Sequence, residues 1–372
     1  MKRVLTLVGC TVLSVFSVCA VEPANEAAAR AAIQKGLAWL ASNQQEAGFW
    51  SNKRFPALTG LPVWAIANAK EAKYDKQLDA AVRFILGKAQ PDGGIYTPDP
   101  RRGGAGLGNY NTSVCMMALH ATGRKDVIPV ILKAREYTAS TQLTGDDEHT
   151  GGYGYDRGGR RHTDLSNTAM AIDAMRVTQD VEEFRPAGEK KVDLNWENAL
   201  KYVSGMQQKD GGFLYTKGFA AAPGADAKGT PQPRGEGEGK RPLLQSYGSI
   251  TYDGLLALMH CQLQRNDPRV VSALDFCTKH WTLEENPGQG AQGIYFYYDI
   301  LTRALNAAGI DEIVRTDGSK VAWRDAVIQK VVSLQKPEGY WENENNRWWE
   351  ADPVLVTSYS LIALEYATGI AK

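Results

Sequence analysis

Segments with helical periodicity alternate along this chain between two hydrophobic patterns. In the first pattern, apolar residues fall on one helical face, as Ile33, Leu37 and Leu40 do. In the second, the helix is apolar nearly all round, as at residues 116–119 and 361–364. Because an all-apolar helix is buried and an amphipathic one keeps a face in solvent, we predict alternating outer and inner helices.

The two patterns follow each other six times and predict an all-α fold. The predicted outer–inner pairs are 33–41 with 58–67, 78–88 with 111–121, 130–141 with 164–176, 196–206 with 249–262, 270–281 with 299–308, and 323–334 with 354–367. Repeats of this kind stack on their neighbours, and a closed ring leaves no end repeat exposed. We therefore predict a single α6/α6 toroid, with six outer helices around six inner ones.

A recurrent turn joins the two helices of a pair. It runs from Gln through Gly to an aromatic residue, and its four clear copies are residues 45–50, 90–96, 208–215 and 335–341. Gly permits the bend, the Gln amide is suited to polar groups at a neighbouring helix end, and the aromatic residue packs against the next repeat. The third turn, after Gln142, is longer, and the fifth keeps only Gly and aromatic residues.

Composition and processing signals narrow the setting. Among the 372 residues the formal net charge is zero, so nucleic acid is not an expected partner. Residues 1–20 have a basic start, an apolar stretch and small residues before Ala20, which predicts a signal peptide and export to the periplasm or the extracellular space. Residues 21–372 then form the toroid, without a transmembrane segment, and Cys115, Cys261 and Cys277 are expected to be free thiols.

One segment interrupts the helical pattern. Residues 217–242 are rich in Gly, Ala, Pro and Lys and lack periodicity, so we predict a flexible insertion, either a lid over one ring face or a neutral loop.

The Gln-to-aromatic turns between helix pairs resemble those of the squalene cyclase and protein prenyltransferase superfamily. The resemblance spans the mature chain and implies a terpenoid cyclase-like toroid with a central cavity at the N-terminal ends of the inner helices. It also implies a cyclase acid motif, Asp-x-Asp-Asp-Thr-Ala. This chain reads Asp164, Leu165, Ser166, Asn167, Thr168, Ala169 there. A serine hydroxyl is too weak an acid to protonate an alkene, so the family's cyclase acid is missing.

The resemblance implies a second site, the zinc site of the prenyltransferases. Its Asp-Gly-Cys part corresponds to Asp253, Gly254 and Leu255, and its His-Thr-x-Tyr part begins with Val356. Two of the three ligands are thus apolar, whereas zinc requires about four N, S or O donors. We predict no metal and no other cofactor.

Polar residues nevertheless cluster at the inner-helix starts, where the resemblance places the cavity. The candidate catalytic residues are Asp253, Asp164 and Asp299, because buried carboxyl groups with raised pKa values can perform acid–base chemistry. The candidate substrate-binding residues are Asn111, His162, Asn167, Tyr247, Thr251 and Tyr298. For Asp164 and Thr168 the favoured interpretation is helix capping, since these residue types are common N-caps.

Two further groups remain open. Arg-Gly loops at residues 101–104 and 157–161 are either anion-binding or simply solvated. Trp341, Trp348 and Trp349 either stack on a sugar or an isoprenoid, or serve as the sixth repeat's own packing residues.

Three functions fit this sequence. The first is binding of an apolar or isoprenoid-type ligand in the ring cavity, without the family's chemistry. The second is an enzyme of another class, such as a carbohydrate-active lyase or hydrolase using cavity carboxylates. The third is a protein-interaction scaffold in the cell envelope. A large apolar cavity favours the first, a polar cleft with two carboxylates the second, and a filled ring centre the third.

Overall fold

A computed structural model describes residues 21–99, 106–156, 163–216 and 246–371. The predicted signal peptide and the predicted insertion at 217–242 lie outside these ranges. His162 and both Arg-Gly loops, at residues 101–104 and 157–161, also lie outside them.

The described residues form twelve α-helices with short 3₁₀ segments and one small hairpin. The outer helices are α1 (Pro23–Ser42), α3 (Asp75–Leu86), α5 (Ile128–Thr141), α7 (Trp196–Ser204), α9 (Pro268–Lys279) and α11 (Trp323–Ser333). The inner helices are α2 (Ala57–Ala69), α4 (Gly108–Ala121), α6 (Leu165–Val177), α8 (Gly248–His260), α10 (Ile294–Ala307) and α12 (Pro353–Ala367). The hairpin pairs β1 (Ile313–Val314) with β2 (Lys320–Val321) in antiparallel register.

The inner helices close into a ring. Each packs against the next in chain order, and α12 packs against α2. The outer layer closes at the same seam, where α1 packs against α11 and α12. The all-α toroid predicted from the sequence is therefore confirmed.

Burial differs between the two layers as the hydrophobic pattern predicted. Every residue of α12 from Val354 to Glu365 is buried, whereas α3 buries only Ala81, Val82 and Ile85. Within the described chain, no helix is both long and apolar enough to cross a membrane.

The turn glutamines join neighbouring repeats, although not always through the residue predicted. The acting residues are Gln44, Gln142, Gln207 and Gln335, whose side-chain amides donate both to the turn glycine's carbonyl and to a carbonyl at the next outer helix. In the first and fourth turns these precede the predicted Gln45 and Gln208 by one residue. Gln90 instead bonds within its own turn.

Close approach of the backbones explains the turn glycines. Gly211 has φ +88°, and a Cβ atom placed there would lie 2.1 Å from the carbonyl oxygen of Ser272 in α9. No side chain fits between the turn and the next outer helix, so glycine is required by contact as well as by conformation.

A threonine in five inner helices fixes the turn from the other side. Its hydroxyl accepts a hydrogen bond from the backbone N–H of the buried turn residue, in the pairs Thr59–Trp50, Thr112–Ile95, Thr168–Tyr153, Thr251–Phe213 and Thr357–Trp341. Thr251 also donates to the carbonyl of Tyr247 at 2.8 Å. The hydroxyl of Thr251, which was predicted to bind substrate, is thus used in hydrogen bonds that hold the turn to the inner helix.

The fifth repeat departs from its predicted boundaries. Helix α10 begins at Ile294, after Gly293 with φ +62°, and not at Asp299. Tyr295, Tyr297 and Tyr298 therefore belong to its first turns. This early start places Asp299 in the second turn of a buried helix.

Candidate functional site

A cavity of about 410 Å³ opens at the N-terminal ends of the inner helices. Its wall combines residues from all six inner helices with residues from the turns and loops above them. It is lined by Phe55, Ala57, Leu58, Leu107, Tyr110, Asn111, Tyr155, Ser166, Tyr215, Tyr247, Ser249, Ile250, Asp253, Asn286, Gln289, Gly293, Phe296, Arg347, Trp348, Trp349, Glu350, Leu355 and Tyr359. A cavity of this volume matches the size of ordinary ligand sites.

Aromatic side chains dominate the wall and contact one another. The Tyr155 and Tyr215 hydroxyls lie 3.2 Å apart, and those of Tyr110 and Tyr359 lie 3.5 Å apart. Phe296 packs edge-on against Tyr359, with 5.6 Å between ring centroids. Burial raises the pKa of Tyr155 to about 12, so this phenol stays neutral near pH 7. The tyrosines thus give the wall apolar rings that carry uncharged hydroxyl groups.

Trp348 and Trp349 stand at the mouth in an uncommon backbone conformation. Their φ angles are +60° and +68°, a region that non-glycine residues seldom occupy. The ring of Trp349 meets Phe55 edge-on at 4.8 Å, and Trp348 lies 5.9 Å from Tyr215. Both remain partly exposed and line the cavity, whereas Trp341 is fully buried and serves as the turn residue of the sixth repeat.

Asp253 is the predicted catalytic residue that reaches the cavity. It is 2% exposed, and its Oδ2 atom has no hydrogen-bond partner among the described residues. Burial raises the pKa of its carboxyl group well above the usual value, with the nearby Asp299 and Asp164 adding to this effect and a Ser166 hydrogen bond opposing it. Burial in the cavity wall therefore favours the neutral form of the Asp253 carboxyl group.

Asp164 acts as a helix cap. Its Oδ1 accepts from the backbone N–H of Asn167 at 2.7 Å, and its Oδ2 accepts from the Asn167 amide at 2.8 Å. Burial raises its pKa to about 7, although these hydrogen bonds favour the charged form. The predicted capping role is confirmed for Asp164 but is wrong for Thr168, which lies inside α6 and donates to the carbonyl of Asp164 at 2.7 Å. Neither Asp164 nor Asn167 lines the cavity.

Asp299 belongs to a charged cluster deeper in the ring. Arg303 lies 3.5 Å from Asp299 and also pairs with Asp173, which in turn lies 3.0 Å from His260. Burial raises the pKa of Asp299 well above its usual value and lowers that of His260 to about 4. Asp299 is thus part of the ring's packed interior and does not line the cavity.

The remaining candidates divide between cavity and scaffold. Asn111 and Tyr247 line the cavity, although the Asn111 amide also binds the backbone of Ala57 and Gly106. Tyr298 donates to the carbonyl of Leu283 at 2.7 Å and does not line it, and neither does Thr251. His162 lies outside the described residues.

Glu350 is a second carboxyl group in the wall, one that the sequence did not assign to the site. It is fully buried and accepts hydrogen bonds from the backbone N–H of Phe296 at 2.8 Å and from the Asn343 amide at 2.7 Å. Burial raises its pKa to about 7 against these bonds. Glu350 caps the free backbone N–H groups at the N-terminus of α10. The sequence could not indicate this role, because it does not show that the loop of Glu350 contacts that helix.

Solved structures share this fold. A variant of the type II terpene cyclase MstE from Scytonema, in complex with its substrate geranylgeranyl dihydroxybenzoate, is 11% identical, with a TM-score of 0.55 over 94% of this chain and 99% of that one. Ligand-free MstE gives 12% identity and a TM-score of 0.57 over 93% and 99%. A wild-type glycosidase gives 12% and 0.52 over 95% and 100%.

At these identities the similarity establishes the fold alone. The chain has the terpenoid cyclase-like α/α-toroid fold, as its turns indicated. No protein-family profile and no curated protein sequence matches it.

Proposed function

We propose that this protein binds an apolar, isoprenoid-type ligand in the ring cavity. The observation that carries the proposal is the cavity itself, about 410 Å³ in volume and walled by aromatic and aliphatic side chains. Neutral tyrosines and tryptophans offer large apolar contacts with few fixed charges, which suits a polyunsaturated hydrocarbon. The geranylgeranyl compound bound by the similarly folded MstE supports the same ligand class.

Ligand binding is tested by blocking the cavity. Purified protein is mixed with geranylgeraniol, and the bound fraction is measured by equilibrium dialysis. Ile250→Trp places a larger side chain in the wall and is expected to reduce binding at least about tenfold. Val271→Trp, on the exposed outer face of α9, is the matched control and is expected to leave binding unchanged. Equal binding by both variants, each folded by circular dichroism, contradicts the proposal.

Export is part of the proposed function and rests on the first residues. Lys2 and Arg3 precede an apolar stretch from 4 to 18, and Ala20 supplies the small residue before the expected cut. Intact-mass measurement of the protein recovered from the cell envelope or medium is expected to give a chain beginning near Val21. A chain that retains Met1 contradicts export with cleavage.

A second function is favoured by Asp253. Its carboxyl group, whose pKa burial raises, lines the cavity together with Glu350, and a carboxyl group with a raised pKa can donate a proton to a bound substrate as a general acid. The glycosidase among the similarly folded structures gives this enzyme class some support. In a substrate screen that detects turnover, Asp253→Asn is expected to abolish it, while Asp275→Asn, at an exposed position of α9, is the control. Turnover unchanged in Asp253→Asn rejects this role.

A further inference from the structure

Arg347 brings a fixed positive charge to the mouth of the cavity. Among the cavity-lining residues of the described chain, it is the one Lys or Arg side chain. Its guanidinium stacks over the Trp348 ring, 4.2 Å from the centroid. Tyr247 lines the same cavity, and the charge of Arg347 opposes the strong rise that burial produces in the pKa of that phenol.

Nothing in the described part of the chain neutralises this charge. No carboxylate of the described residues forms an ion pair with the Arg347 side chain. The backbone N–H of Arg347 donates to Oδ1 of Asn345 at 2.9 Å. Of the two acidic residues in the wall, Asp253 is buried in a way that favours its neutral form, and Glu350 accepts backbone hydrogen bonds from α10. Arg347 therefore places at the cavity a guanidinium that has no ion pair with the described carboxylates.

The strained mouth residues keep the guanidinium in place. Trp348 adopts φ +60°, and its ring contacts both Arg347 and Tyr215. A guanidinium above an indole ring keeps N–H groups for carboxylate or phosphate oxygens, which it can bind through two parallel hydrogen bonds. Backbone strain of this kind persists where the surrounding structure imposes it, and it clusters at ligand sites.

From these observations we propose that Arg347 binds the anionic head group of an amphipathic ligand whose hydrocarbon part occupies the cavity. This inference rests on the proposed function and narrows it from an apolar ligand to an acid, either a carboxylate or a phosphate ester. Gln289 and Tyr247, which line the same cavity, are neutral polar groups that can complement the head group.

The experiment compares two probes that share one tail, geranylgeranoic acid and geranylgeraniol, at pH 7.5 by equilibrium dialysis. The full-length mature protein is expected to bind the acid at least about tenfold more tightly, since charge-assisted hydrogen bonds have that strength. Arg347→Gln is expected to lose this preference while still binding the alcohol. Arg347→Lys is expected to keep part of it, and Arg315→Gln, in the exposed hairpin, to keep all of it.

The outcomes separate the proposed head-group site from the proposed binding of an apolar ligand in the cavity. Equal binding of acid and alcohol by the unmodified protein overturns the head-group site and leaves the apolar site standing. A parallel loss of both ligands in Arg347→Gln also overturns it, because Arg347 would then only support Trp348. Inorganic phosphate that competes as well as the acid also overturns the proposal, because the hydrocarbon tail would then contribute nothing to binding. Binding of neither probe rejects the apolar site itself.

Discussion

At the scale of the residue, the sequence identified some roles and missed others for a clear reason. Asp253 stood out because it interrupts an apolar helix where no cap is needed, and it lines the cavity. Asp164 matched the N-cap pattern and is a cap. Tyr155, Tyr215 and Tyr359 were not assigned to the site, because their side chains meet only when distant repeats close into a ring.

The cap residue Asp164 makes a prediction about pH. Its pKa is about 7 in the folded protein, above the roughly 3.9 of an unfolded aspartate. The folded state then holds the extra proton, so stability from this group is complete below about pH 4 and is lost as pH rises to about 7. Asp164→Asn keeps a good cap and removes the titration. It is expected to flatten the pH dependence by a few kcal/mol.

The measurement is urea unfolding between pH 4 and 8, comparing the free energies of unfolding. Asp352→Asn, at the N-cap of α12, is the matched control because Asp352 makes the same kind of capping bond at a half-buried site. Parallel pH profiles for Asp164→Asn and the unmodified protein would contradict the assignment.

At the scale of the element, helix pairing was predictable but the register of the turns was not. Two adjacent glutamines end the helical segments in the first and fourth repeats, and the sequence favours neither. The structure selects Gln44 and Gln207, because only the earlier side chain reaches both the turn and the next outer helix. The predicted start of helix α10 was likewise too late, because the tyrosines of its first turns resemble the aromatic end of the turn motif.

The glutamine register gives a prediction between neighbours. Gln207→Ala removes the side-chain hydrogen bonds to the carbonyls of Gly211 and of Arg269 in α9, at 3.0 and 2.9 Å. It is expected to cost about 1–3 kcal/mol of unfolding free energy. Gln208→Ala loses a single 3.3 Å bond within the turn and is expected to cost under about 1 kcal/mol. Equal losses in urea denaturation would reject the selected register.

The turn glycine gives another prediction with a matched control. Gly211 and Gly188 have nearly the same φ, +88° and +91°, but a Cβ at Gly188 meets no atom within 4 Å. Gly188→Ala is expected to cost about 1 kcal/mol for conformation alone. Gly211→Ala adds the collision with Ser272 and is expected to cost at least about 3 kcal/mol, or to prevent folding. Similar melting temperatures for the two variants would show that close approach is not the constraint.

At the scale of the whole molecule, the sequence predicted closure and, through the family resemblance, a central cavity, but not the lining of that cavity. Six all-apolar helices have nowhere to be buried except against one another, which favours a ring. The space at its centre depends on which side chains the six helix ends and the loops contribute. Its wall joins Phe55 to Tyr359, and the charge at its mouth comes from Arg347 in a loop without repeat pattern.

Ring closure itself predicts how the seam behaves. Gln335 joins the sixth turn to Ala32 of α1 at 2.9 Å, just as Gln207 joins the fourth turn to α9. In a closed ring these bonds are equivalent, so Gln335→Ala is expected to lower the global unfolding free energy by about the same 1–3 kcal/mol as Gln207→Ala. An open solenoid would instead fray at its ends, and a seam variant would affect only local opening. Hydrogen exchange distinguishes these cases. Closure requires that Gln335→Ala weaken protection in α8 as much as in α2 and α12, whereas weakening confined to the two seam helices would contradict it.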